Sequence, residues 1–451
     1  MRLSYVTTRL VCISVLSLLC GGLVIPEALF AQEVAQVVSD WERGEWTFGQ
    51  RSAAEQSLTR ITFAGDWRPE PPYTSMFLKN PEVAYGEMLP VLQESDVTLV
   101  NVETTVGTKG EPIPKGGPNF QADPEVAVKG LTAVPFDVAL LANNHAADYG
   151  PASVQETVRR LQAAGLKTVG AGMSYEEASE PLFLHRKGTS IAVINCAEGE
   201  EDRSVDGGPG VYGMDVPVQK AQIQALRPLV DVIIVAFHGG RQYLPSPPPY
   251  VVEAMRTFAR AGADAVIAHH PHVPQGIEVV EGTPIVYSQG NFVFWQSQGY
   301  YRRIGYLVSL DVTSTGLVSM DVTPYQQTQE GLIRLPDPHR SKLMQDLKKL
   351  SGYLENGRAE MLWNAYIDYM GAGTDQLMQL AKGVQEGDKH SAALLRNIFF
   401  TPAHRKLFID RMDRIIAGKM GSSPDWAQQR VRQWQERPTS DLPRVAPVGS
   451  R

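Results

Sequence analysis

Residues 264–294 read DAVIAHHPHVPQGIEVVEGTPIVYSQGNFVF, and the fold is decided there. An apolar run, Ala265 to Ala268, enters three imidazoles, His269, His270 and His272. Pro271 restricts the backbone between the last two. A second apolar run, Pro284 to Tyr287, ends in Ser288-Gln289-Gly290-Asn291. Polar groups massed at strand ends are where an α/β fold displays its chemistry. One such histidine reads as a hydrogen-bonded core residue; a cluster of three at a strand end points instead to metal binding.

Outward from this stretch, the same pattern recurs. Apolar runs at Leu58–Ala64, Val97–Val102, Phe136–Ala142, Ser190–Asn195 and Asp231–Phe237 read as strands. They alternate with helical stretches such as Glu82–Glu94, Pro151–Ala164, Pro217–Arg227 and Val251–Ala261, which argues for α/β layering. Asp123 before Pro124 is a helix start of the N-cap and N1 kind. Four of the strands run into polar residues: Asp66, Glu103, Asn144-His145 and His238. Carboxylate, amide and imidazole donors together suit divalent first-row metals. No thiolate is among them, which argues against a structural zinc knuckle. Residues 106–120, GTKGEPIPKGGPNF from Gly107 on, are too rich in Gly and Pro for a helix and read as a long loop over a site.

The rest of the chain sets the limits. Its 451 residues, 43% hydrophobic and 20% charged, are enough for one large domain with additions. A net charge of -7 leaves no basic footprint for nucleic acid. Arg2 and Arg9 precede an apolar stretch from Leu10 to Leu19, so residues 1–31 read as a signal peptide or signal anchor and the protein as exported. It would then be periplasmic, extracellular or anchored at the outer face of the cytoplasmic membrane. Of three cysteines only Cys196 lies in the body, so no internal disulfide is expected. Residues 32–59 read as a spacer with at most a helix or edge strand, 324–338 as an irregular bridge, the region to 436 as mainly helical, and 437–451 as a disordered tail.

FAGDW at 63, NVETTV at 101, LLANNHAADYG at 140, FHGGRQY at 237, and the run from GADAVIAHHPHVPQGIEV to YSQGNFVF together resemble the CapA or PgsA type proteins of bacterial capsule and poly-gamma-glutamate synthesis. These in turn resemble calcineurin-like metallophosphoesterases. The resemblance spans about residues 60–323. It implies a four-layer α/β/β/α sandwich, with the helical C-terminal region as an extension and with two divalent ions (Mn, Zn or Fe) at the strand ends. It implies metal ligands at Asp66, Glu103 (bridging), Asn144, His238, His270 and His272, and a catalytic His145 assisting the leaving group. Asp148 would either orient His145 or cap the next helix. Arg68 and Arg241 are candidates to neutralise a substrate anion, and Asn291 to shape the floor of the substrate site. Arg68 stands where the phosphoesterase pattern has a histidine, and Gln242 where the family commonly has an acid. Two functions remain open at this point. One is a metal-dependent hydrolase acting on an anionic envelope polymer or a phosphorylated precursor. The other is a non-catalytic, polymer-binding member of a membrane synthase or export complex.

Overall fold

The computed structural model describes residues 37–48, 57–134, 136–198, 208–371 and 374–443. The expected leader lies outside these residues, as do residues 32–36 and 49–56 of the expected spacer; the rest of that spacer is not a loose link, because Val38–Asp40 and Glu45–Thr47 form a strand pair at the edge of the first sheet. Two sheets stack face to face. In the first, the strands run in the order Val38–Asp40, Glu45–Thr47, Gly316–Thr328, Ile304–Thr313, Thr59–Arg68, Val97–Val102, Val138–Leu140 and Lys167–Val169. Asn291–Phe294 pairs with the end of Thr59–Arg68, and Gly331–Arg334 with Gly316–Thr328. In the second, the order is Leu182–Arg186, Thr189–Ala197, Val232–His238, Ala265–His269, Thr283–Val286 and Ile277–Val280. The inner strands of this sheet are parallel, so their C-terminal ends share one rim.

The strands are apolar on both sides because both faces of each sheet are covered. Ile61, Phe63, Leu99 and Leu140 from the first sheet meet Val193, Ile234, Ala236 and Ile267 from the second. Ala64, Trp67, Val100 and Val102 point outward, under helices that include Tyr73–Lys79 and Pro124–Ala133. Ile194, Val235 and Val266 are covered by Val216–Leu226 and Pro249–Arg260. This is a four-layer α/β/β/α sandwich. Phe63 is fully buried between the sheets, and truncating it to alanine is expected to cost about 3–5 kcal/mol. The Pro124–Ala133 helix starts as its sequence dictates, with the Asp123 side chain accepting from the Glu125 and Val126 N–H groups.

Helices from His339–Glu355 to Asp425–Glu436 form the C-terminal extension. Ser351 in the first of them accepts the Ile277 N–H at 2.8 Å, tying the extension to the second sheet. Trp434 in the last stacks on Tyr301 at 3.6 Å between ring centroids. No helix among the described residues is long and apolar enough to cross a membrane.

Several local expectations need correction. The strand expected to stop at Ala64 continues to Arg68. Residues 324–338 are not irregular: the strand from Gly316 runs on to Thr328 and turns back through Gly331–Arg334. Residues 437–443 are docked rather than loose, with the Arg437 carbonyl accepting from the Tyr300 N–H and the Pro443 carbonyl from Gln326 Nε2. Residues 444–451 lie outside the described residues.

Candidate metal centre

The first sheet delivers oxygen donors. Ile61 and Phe63 face the second sheet, so strict alternation would send Gly65 and Trp67 the same way. A bulge between Ala64 and Asp66 shifts the register by one residue. Trp67 therefore turns into the outer core, and Asp66 turns into the space between the sheets. Only glycine fits at the bulge, because a Cβ on Gly65 would lie 2.1 Å from the Gly290 carbonyl oxygen. Asn101 lies directly across from Asp66 in register and donates from Nδ2 to Asp66 Oδ1 at 2.8 Å. Glu103 follows one residue past the end of its strand, held by its N–H to the Trp67 carbonyl at 3.0 Å.

Glu103 is fully buried, and neither carboxylate oxygen has a hydrogen-bond partner among the described residues. A buried anion without partners is strongly unfavourable unless a cation compensates it. Burial, with the nearby Asp66 charge, pushes Glu103 well above the usual carboxylate range. Burial also works to raise Asp66, but its hydrogen bond and charge interaction with His272 prevail and lower it.

The second sheet delivers nitrogens. His238 ends its strand beside His269. Its Nε2 is 2.8 Å from Asn144 Oδ1, 3.1 Å from His270 Nδ1 and 3.6 Å from Glu103 Oε1. One ring nitrogen carries at most one proton, so these approaches cannot all be hydrogen bonds. A cation held among them would relieve the lone-pair crowding. His272 Nδ1 is 2.9 Å from Asn291 Oδ1 and 3.1 Å from Asp66 Oδ2, and its Nε2 is 3.6 Å from Glu103 Oε1. His270 and His272 both have positive φ, 98° and 57°. Such conformations cost about 1–3 kcal/mol each in a non-glycine residue and cluster at functional sites. Burial, then the neighbouring imidazoles, hold His238 and His270 well below the usual histidine range, in the neutral form that binds metals.

Among the described residues two donor sets result, Glu103 with His238 and His270, and Asp66 with Glu103 and His272. Within each set the donor atoms lie within 4.8 Å of one another. Glu103 belongs to both, as a bridging carboxylate must. Asn144 borders the first set through His238, and Asn291 borders the second through His272. The mix of carboxylate oxygens and imidazole nitrogens fits divalent first-row ions.

Beside the donors, His145 Nδ1 lies 2.7 Å from Asp148 Oδ2. Lys115 contacts Asp148 Oδ1 and donates to the Asn144 carbonyl at 2.7 Å. Phe120 stacks on His145 at 4.1 Å. Burial and then the Lys115 charge keep His145 well below its usual pKa. Burial raises Asp148 to about 6, although Lys115 opposes it. The following helix has Gly150 at its N-cap and no side-chain cap, so Asp148 orients His145 and does not cap that helix.

The remaining candidates separate. The Arg68 guanidinium lies 3.8 Å from the Phe120 ring centroid and 4.2 Å from that of Phe294, and it contacts Glu70; it stands beside the donor sets. Arg241 lines a cavity of about 280 Å³ together with Asn144, His145 and His270. Asn291 does not line that cavity: it is buried behind His272 and donates to the Arg302 carbonyl at 3.1 Å. Sequence reasoning missed Asn101, Lys115, Glu198 and His404. For Lys115 the signal was its place in the Gly/Pro loop; Asn101 looked like one more residue of an apolar strand.

Residues 60–296 match the family described as bacterial capsule synthesis protein PGA_cap. The PGA biosynthesis protein CapA of Bacillus subtilis (strain 168) is 32% identical over 247 residues, 52% of this chain and 62% of that protein. The capsule biosynthesis protein CapA of Bacillus anthracis is 30% identical over 271 residues, 57% of this chain and 61% of that protein. The chain thus matches less than two thirds of either relative's length. Among solved structures, the calcineurin-like phosphoesterase YfkN from Bacillus subtilis aligns over 66% of this chain and 99% of its own, with 13% identity and a TM-score of 0.36. With its strand-end motifs inside the matched span, the chain belongs to the PGA_cap family of bacterial capsule synthesis proteins.

Proposed function

We propose that this protein is an exported, divalent-metal-dependent hydrolase acting on an anionic envelope polymer of the poly-gamma-glutamate kind or on a phosphorylated precursor. The observation that carries the reading is Glu103: a buried carboxylate with no hydrogen-bond partner among the described residues, common to two donor sets that also supply three imidazoles and a second carboxylate. The names of the two Bacillus relatives support the choice of polymer. Asp66, Glu103, His238, His270 and His272 would hold two ions, Mn, Zn or Fe, with Asn144 beside them. Such ions supply an acidified water and stabilise negative charge at the reacting phosphorus or carbonyl.

The chain's own residues do the rest. Asp148 and Lys115 engage the Nδ1 side of His145, leaving Nε2 to exchange a proton with the leaving group at the cavity wall. Phe120 fixes the plane of that ring. Arg68 brings positive charge to the edge of the site.

Arg68 also favours a second reading, a polymer-binding member of a synthase or export complex. Its guanidinium, packed against the Phe120 and Phe294 rings, occupies the sequence position where the phosphoesterase pattern has a histidine. Metal-loaded protein assayed on phosphomonoesters, phosphodiesters and poly-gamma-glutamate, with His270→Ala as control, separates the two. Turnover lost in the variant supports the hydrolase. Polymer bound without turnover of any substrate supports the binding protein.

A further inference from the structure

The cavity beside the metal donors is not built by the family-matched span alone. One wall is Asn144, His145 and His270, and a second is the loop Gly239–Gln242. The opposite wall comes from the C-terminal helices, which supply Leu394, Thr401, Ala403 and His404. All four lie beyond residue 296, where the family match ends. Two features hold that wall against the site. Glu198 accepts from the Ala403 N–H at 2.6 Å, at the start of helix Pro402–Ile416, and from the Gly240 N–H at 3.0 Å, in the loop after His238. Gly116, in the Gly/Pro loop, packs so closely that a Cβ there would lie 2.7 Å from Asn397 of helix Lys389–Phe400.

The same wall orients a cation. Arg241 Nε donates to Tyr366 Oη at 3.0 Å, and Nη1 is 3.3 Å from His404 Nδ1. Burial, then the adjacent guanidinium, lowers His404 to about 4, so at neutral pH the imidazole accepts from Arg241 and adds no charge. Among the described residues no carboxylate forms an ion pair with Arg241. The guanidinium is therefore held by Tyr366 and His404 on its Nε and Nη1 side, in a residue that lines the cavity. Arginine in such a fork recognises carboxylate or phosphate. The volume of about 280 Å³ falls just below the range of ligand pockets, which run from about 300 to 1,000 Å³. It has room for an end group and not for a folded-back run of polymer.

We propose that the C-terminal helices make this a chain-end pocket: Arg241, positioned by Tyr366 and His404, holds the terminal acidic group of an anionic chain beside the metal donors. This rests on the hydrolase reading above and narrows it to action on chain ends. A terminal carboxylate and a terminal phosphate share the required chemistry, and the test distinguishes them.

The test is calorimetric titration of the full, metal-loaded chain with three probes: a gamma-glutamyl trimer with a free terminal carboxylate, the same trimer with that terminus amidated, and inorganic phosphate. Arg241→Met and His404→Ala are titrated alongside. Metal content and thermal midpoint are read for each variant, and Arg241→Lys serves if Arg241→Met does not fold. The expected result is binding of the free trimer or of phosphate, whichever source is correct. Loss of the guanidinium should weaken that binding at least tenfold, amidation should weaken the trimer's equally where the carboxylate is the source, and His404→Ala should weaken it less, with metal content unchanged in every variant. Equal affinity for free and amidated trimer with no phosphate binding overturns the proposal. So does wild-type affinity in Arg241→Met, or failure of the wild type to bind any probe. The hydrolase reading fails separately, through absence of bound metal or of turnover, whatever the trimer does.

Discussion

The two sheets bring opposite chemistry to one point. The first contributes acids, Asp66 from within a strand and Glu103 just past one. The second contributes imidazoles that burial keeps neutral, His238 at a strand end and His270 in the turn beyond the next. Two buried carboxylates therefore face imidazoles across the gap between the sheets. The contrast teaches that neither sheet makes the site alone: acids from one and imidazoles from the other combine into donor sets of the kind that hold divalent ions. Each sheet also bends its backbone to aim its donors. The first uses a glycine bulge that only a close approach to Gly290 explains, and the second uses positive φ at His270 and His272.

The largest effect should come from removing the shared acid. Glu103→Gln is expected to abolish binding of both ions. It should also erase the metal-induced stabilisation, which for one site at a hundred times its dissociation constant is about 2.7 kcal/mol. The apo variant should be more stable than apo wild type, because an unpartnered buried carboxylate is gone. The sign with pH follows. Glu103 has its folded pKa raised, so its contribution is full below the unfolded value of about 4.5 and is lost as pH rises through the folded value. Asp66 is lowered, so its contribution is lost only as pH falls through its own folded value. Above about pH 4.5 the Glu103 effect therefore dominates, and apo wild type should weaken with rising pH while apo Glu103→Gln weakens less. Thermal melts of both proteins across that range, with and without Mn, check it.

On the imidazole side, His270→Ala should lose one ion and leave the set of Asp66, Glu103 and His272 able to hold the other. Metal analysis showing both ions retained would break the division into two sets. Gly65→Ala tests the bulge: the clash with the Gly290 carbonyl should destabilise by about 1–3 kcal/mol in chemical denaturation. The smallest effect is expected at Asn291→Ala. Its Oδ1 only orients His272, so metal affinity should fall about 10–100-fold with the fold intact.

The donors were legible in the sequence because each ends an apolar run, and in parallel strands such ends share a rim. His238, His270 and Glu103 are of this kind. The four-layer arrangement was legible through the family resemblance, supported by the alternation of apolar strands and helices. What could not be read depends on contacts distant along the chain. The bulge at Gly65 is set by Gly290. Asn101 matters only because register places it opposite Asp66. Asn291 looked like a residue of the site floor and proves to sit behind a histidine. The cavity wall at His404 is invisible locally, since that helix reads as a surface helix until Glu198 is seen to hold its first turn. The turn at 328–331 was read as irregular because Pro324 and the run of glutamines obscured the strand pattern.

The most direct test is elemental analysis of the full chain, purified anaerobically and equilibrated with Mn, Zn or Fe, beside Glu103→Gln. The account predicts two divalent ions per wild-type chain and none in the variant. A wild-type chain that binds no divalent ion under any of these conditions, or a variant that binds as the wild type does, would contradict it.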